Sequence, residues 1–263
     1  MHTYLFTDLD DSLFQSYRKK DVTPENNPEQ LDSGLAIDIS DEEINLTVDW
    51  LNQRALCFMT PKQQALLNLF HKAHVIPVTA RNLQAFQRIR LKFEYGAILN
   101  YGGTIISQNG KEDLYWKHFI QNKLLPYQEQ LQDILEKVTN LASENNLAIR
   151  SRIIGVSDCN FYTVIKNINP YDDYLPHIYA KSANMVSNIN DWCVHYNDNN
   201  LAFIPKCLNK AHAVEYFIEK HIRLKYDDFL SIGLGDSLVD IDFMQKCDYA
   251  LVPANSQIQR KKL

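Results

Sequence analysis

What the sequence lacks narrows its class. No stretch reaches the ~18 consecutive apolar residues that a spanning helix needs. The N-terminus enters an apolar run at once, with no basic leader and no small-residue cleavage site before it. The pattern predicts neither a membrane segment nor a signal peptide. Excess positive charge is also missing: 27 Lys and Arg stand against 32 Asp and Glu, a formal net charge of -5. The one dense basic run, Arg260, Lys261 and Lys262, reads as a solvated tail. A general nucleic-acid footprint is therefore absent, and no nucleic-acid or membrane partner is expected. Cysteine is sparse. Cys57, Cys159, Cys193, Cys207 and Cys247 are scattered, odd in number and without a CxxC pair. That fits reduced thiols in a cytoplasmic protein better than a disulfide framework or a zinc site. Internal repeats and low-complexity tracts are missing too.

The chain has 263 residues, 45% of them hydrophobic and 22% charged, enough for one sizeable core and a smaller second domain. Residues 4–7 form an apolar run ending at Asp8, the pattern of a strand buried on both faces. Residues 20–36 are loop-like. Alternating apolar residues between 35 and 58 (Leu35, Ile37, Ile39; Leu46, Val48, Trp50) predict an extra β-hairpin with Asp41, Glu42 and Glu43 at its turn. Thr60-Pro61 reads as a helix start, with Ala65, Leu66, Leu69 and Phe70 facing inward. Strands follow at 75–78 and 97–99, with a helix over 82–93 between them. From about 104 to 205 the rhythm changes to an α+β unit: a strand at 113–119, a helix at 124–145, strands at 147–155 and 160–168, a helix at 174–188, and strands at 192–197 and 200–204. The helix 209–221, the strand 229–233, the helix 238–246 and the strand 249–252 then complete the first domain. Strands alternating with helices predict an α/β fold with a doubly wound parallel sheet. The expected division is 1–103 with 206–263 as the core and 104–205 as the second domain.

Four features stand at the carboxyl ends of predicted strands, the edge where open parallel sheets bind ligands. Asp8 and Asp10 are spaced so that one can attack and the other can move a proton; alone, they also fit a turn with capping acids. Thr79 ends the second strand, where a hydroxyl and backbone amides can hold a phosphate oxygen, or simply cap a helix. Lys210 lies near a helix start, an unfavourable place for a cation unless it meets an anion. Gly233-Leu234-Gly235-Asp236-Ser237 allows a tight turn, with Asp236 and Asp240 able to hold a cation. Hard cations such as Mg²⁺ prefer such oxygen ligands, and together with a lysine would offset repulsion between phosphate and an attacking carboxylate.

In this order the features resemble the haloacid-dehalogenase superfamily of phosphohydrolases. Asp8-Leu9-Asp10-Asp11-Ser12-Leu13 resembles the family's DxDx[T/S] opening, Val78-Thr79-Ala80-Arg81 its second motif, Asn209-Lys210-Ala211 its third, and Gly235-Asp236-Ser237-Leu238-Val239-Asp240 its GDSxxD fourth. The 130 residues 80–209 between Thr79 and Lys210 resemble the large α/β cap of the sucrose-phosphate phosphatase-like and Cof-like branch. Asp11 and Ala80 replace glycines of the family pattern, and Val239 stands where many relatives carry asparagine.

The resemblance implies a Rossmann-like core with an inserted α+β cap, and a phosphoric monoester hydrolase. Asp8 would attack phosphorus, and Asp10 would protonate the leaving oxygen and then activate water. Thr79 and Lys210 would hold phosphoryl oxygens. The Asp8 carboxylate, the Asp10 carbonyl and Asp236 would bind Mg²⁺, supported by Ser237 and Asp240. The implied partner is a small phosphomonoester, a sugar phosphate by analogy with the branch. A sugar-phosphate mutase of the same fold and a non-catalytic binding or regulatory member are the alternatives.

Overall fold

The computed structural model describes residues 1–17, 46–52, 54–156, 159–169 and 172–260. Its strands are β1 (His2–Thr7), β2 (Gln15–Ser16), β3 (Thr47–Leu51), β4 (Arg54–Phe58), β5 (His74–Pro77), β6 (Ala97–Leu99), β7 (Thr104–Ile106), β8 (Ile149–Val156), β9 (Cys159–Asn167), β10 (Trp192–Tyr196), β11 (Leu201–Pro205), β12 (Phe229–Leu234) and β13 (Tyr249–Leu251). The chain folds into two compact units. One comprises Met1–Asp113 and Lys210–Leu263, the other Leu114–Asn209.

The first unit is built on a parallel sheet of order β13-β12-β1-β5. β1 is central, and its Leu5 and Phe6 are fully buried, as a run apolar on both faces requires. Pro77 is accommodated in β5 by alternation. The amide of Val78 donates to the Thr7 carbonyl, so the position next to it, where proline lacks a donor, faces away from β1. β6 pairs antiparallel with β7 and meets Val78 through a single bridge at Ile98. A three-stranded antiparallel sheet, β2-β4-β3, packs Val48, Cys57 and Met59 against Leu9, Leu13 and Phe14.

Within the expected hairpin region a hairpin forms over 47–58. Its strands are β3 and β4, joined next to Asn52, a left-handed residue at φ 50°. The expected turn at 41–43 and the expected strand at 35–39 lie outside the described residues. The helix Pro61–Leu69 begins as expected, with a capping box between Thr60 and Gln63. Its inward face differs: Leu66, Leu67 and Phe70 pack on the core while Leu69 is 78% exposed. The helix expected over 82–93 is limited to Leu83–Gln87, capped by Asn82.

The second unit is an antiparallel sheet of order β10-β11-β9-β8 backed by the helix Gln128–Glu144. Leu131, Ile134 and Val138 of that helix pack with Ile165, Leu201, Phe203 and Trp192. Residues 113–119 are not a strand. They enter the helix Leu114–Leu124, whose buried residues Trp116, Ile120 and Leu124 recur every four positions. Among the described residues no helix is long and apolar enough to cross a membrane.

Candidate active site

The site begins where β1 stops. Asp8 is the first residue after the strand, and its amide donates to the carbonyl of Leu234, the last residue of β12, at 2.8 Å. Two neighbouring strands thus place Asp8 and the Gly235-Asp236 turn side by side. The chain then turns tightly: the amides of Leu13 and Phe14 donate to the Leu9 carbonyl, and Asp11 donates to Phe14. Asp11 sits at φ 66°, which accounts for the glycine of the family pattern; aspartate is among the few residues that adopt this conformation readily. Ala80 is not among the positive-φ residues, so its lost glycine carries no such strain.

Lys210 opens the helix Lys210–Phe217 and is buried. Its Nζ donates to Asp8 Oδ1 and to Asp240 Oδ1, each at 2.7 Å. The anion expected at this helix start is a pair of carboxylates. Asp240 is fixed from its other side, where Oδ2 accepts from the amide and the hydroxyl of Ser237 at 3.0 and 2.6 Å. Gly235 makes this possible: a Cβ there would lie 2.4 Å from Asp240 Cβ. Asp236 accepts at Oδ1 from the buried Ser12 hydroxyl at 3.1 Å. Ser12, the fifth residue of the opening motif, is a contact that motif reading alone left without a role.

Asp10 and Thr79 meet through Arg81. Asp10 accepts a bidentate pair from Arg81, at 2.8 Å from Nε and 2.7 Å from Nη2. The Arg81 amide donates to Thr79 Oγ1 at 3.1 Å. The proton of the buried Thr79 hydroxyl remains available to donate toward an anion.

Burial pushes Asp236 up to about 7, with Asp240 and Asp11 adding to the rise and Lys210 and Ser12 opposing it. Burial also raises Asp8; Lys210 pulls it down, while Asp240, Asp236 and Asp10 push it further up. Lys210 is raised: its desolvation is outweighed by the two carboxylates it touches.

This imbalance bears on metal binding. Carboxylate oxygens of Asp8, Asp236 and Asp240 lie within 4.8 Å of one another, all three residues buried, with one ammonium between them. An all-oxygen, charge-deficient donor set fits a hard divalent cation. Both oxygens of Asp240 are already engaged by Lys210 and Ser237. Asp8 and Asp236 are thus the better-placed carboxylate ligands, with Asp240 in support.

No family model and no curated protein matches the sequence. Solved structures do. The sucrose-phosphatase of Synechocystis, solved with sucrose and phosphate, superimposes with a TM-score of 0.51 at 13% identity, covering 99% of this chain and 86% of that one. The C-terminal domain of trehalose-6-phosphate phosphatase from C. albicans gives 0.52 at 15% identity, covering 93% and 73%. The fold is haloacid-dehalogenase-like. Its parallel sheet and additional antiparallel sheet are those expected of a Rossmann-like core with an inserted α+β element.

Proposed function

We propose that the protein is a divalent-cation-dependent phosphatase, with Mg²⁺ the preferred ion, that hydrolyses a small phosphomonoester, a sugar phosphate in class. The observation that carries this reading is the contact of Lys210 with Asp8 beside Asp236, at the carboxyl edge of a fold shared with two sugar-phosphate phosphatases. A carboxylate attacks only when ionised, and burial works against that state at Asp8. Lys210 favours ionisation and orients the group. A bound Mg²⁺ would add positive charge where Asp8 and the phosphoryl oxygens meet.

In the first step an Asp8 oxygen bonds to phosphorus and the bond to the leaving oxygen breaks, Asp10 supplying the leaving group with a proton. In the second, water attacks the aspartyl-phosphate, Asp10 takes its proton, the Asp8–phosphorus link breaks and inorganic phosphate departs. Thr79, through its free hydroxyl proton, and Lys210 hold phosphoryl oxygens. Asp240 and Ser237 hold Lys210 in register.

A phosphate-release screen over sugar, polyol and nucleotide monoesters with Mg²⁺, with Asp8→Asn as the blank, tests the proposal. Release from one class of small ester, lost on chelation, is the expected result. Release only from phosphoproteins, or undiminished release after chelation, would overturn it.

A further inference from the structure

The hairpin β3–β4 delivers a buried acid to the neighbourhood of Asp10. Strand alternation would place Val48 on the core side and Asp49 on the other, yet Thr47, Val48 and Asp49 are all buried. The pairing with β4 shifts register on both sides of Asp49, a β-bulge, and the residue bridges to Ile89. Bulges re-aim side chains in this way. The outcome is a carboxylate that is 1% exposed and shared between two arginines: Oδ2 accepts from Arg81 Nη1 at 2.5 Å and Oδ1 from Arg88 Nε at 3.1 Å.

Arg81 is anchored on every side. Nη1 meets Asp49, Nη2 meets Asp10 and Cys57 Sγ (3.2 Å), Nε meets Asp10, and the Phe14 ring lies 5.0 Å from its guanidinium carbon. Asp10, by contrast, has a side chain that is 46% exposed. An exposed aspartate samples several rotamers, and a bidentate guanidinium restricts it to one plane. The direction of the Asp10 carboxylate therefore follows from where Arg81 is held. Arg81 is held by Asp49.

We propose that Asp49 is a positioning residue for the reaction: through Arg81 it fixes the plane and position of the Asp10 carboxyl, the group assigned to proton transfer. The inference rests on the phosphatase reading and adds to it a function for the hairpin. Asp49 touches neither Asp8 nor any of the carboxylates grouped around the cation position. Its loss should spare phosphate and metal recognition and act on proton transfer alone.

The test is leaving-group dependence. An alkyl monoester such as glycerol 3-phosphate needs its departing oxygen protonated, whereas p-nitrophenyl phosphate does not. Asp49→Asn keeps the shape of the side chain but removes the charge shared by the two arginines. The expected result is a loss of kcat/KM on the alkyl ester at least ~10-fold greater than on the nitrophenyl ester, since small misplacements of a proton-transfer group cost up to ~100-fold. Equal losses on both esters, or none, would overturn the inference and leave the phosphatase reading standing. No release by the unaltered protein from these esters or from any alkyl monoester of the phosphate-release screen would overturn both. Should Asp49→Asn unfold the chain, the double change Asp49→Asn with Arg88→Gln restores the charge balance of the cluster, and the same ratio is read from it.

Discussion

Two charged clusters lie in the same unit and are built on opposite terms. Around Asp8, three buried carboxylates (Asp8, Asp236, Asp240) gather about one ammonium, that of Lys210, which touches Asp8 and Asp240. Around Asp10, two carboxylates (Asp10, Asp49) are matched by two guanidiniums (Arg81, Arg88). The first is short of positive charge and suits a cation and a phosphate that arrive from outside. The second is balanced, so its geometry is fixed before anything binds. On the proposed mechanism, a reaction centre that must accept charge and a proton carrier that must hold its aim call for these two designs.

Removing Asp8, the proposed attacking group, is the most severe way to break the first cluster. Asp8→Asn should reduce phosphate release by at least ~10³-fold, because an amide is a poor nucleophile. A single-turnover assay with far-UV circular dichroism separates this from unfolding. Removing the cation acts on stability: Lys210→Met leaves two carboxylates buried beside Asp236 without their shared partner. The expected cost is about 3–5 kcal/mol, read from urea unfolding.

Changing the second cluster should cost less. Asp10→Asn is expected to slow turnover by at least ~100-fold. Mg²⁺ affinity, measured by titration calorimetry, should change little, since the residue's assigned metal contact is its carbonyl. A large fall in affinity would place its carboxylate in the first cluster.

The smallest expected effect sharpens the contrast through pH. Asp236 has a folded-state value of about 7 against 3.8 for the ordinary group. The native state therefore holds a proton that the unfolded chain gives up. Stability from this group is fully present below the ordinary value and falls as pH rises toward about 7. A cation bound at the proposed site would replace that proton. The rise in Tm on adding Mg²⁺ should therefore be greater at mildly alkaline pH than in acid, and an equal rise at both would show that Asp236 is not a ligand.

The acid cluster was legible because its members end buried strands or begin the helices that follow, where apolar runs stop abruptly at Asp8 and at Gly235-Asp236. Lys210 was legible by its awkward place at a helix start. The balanced cluster was hidden. In β3 the alternation of Leu46, Val48 and Trp50 marks Asp49 as an outward residue, and one bulge reverses it; a bulge follows from pairing between strands and leaves no local mark. Arg81 was visible only as part of a motif, because its partners come from three separate stretches of chain. The strand expected over 113–119 failed for a different reason: Leu114 and Trp116 alternate, but the longer stripe Trp116, Ile120, Leu124 has the period of a helix.

Gly235 has a further consequence. Its hydrogen occupies the space where any carbon would strike Asp240, the acid that shares Lys210 with Asp8. Glycine is the lower limit of side-chain size, so every substitution at 235 errs in the same direction, toward crowding. The displacement would pass from Asp240 to Lys210 and on to Asp8. Neutral drift, which can explore a surface position from either side, has no tolerated neighbour to step to here, and an atom that is not there limits how this position can vary.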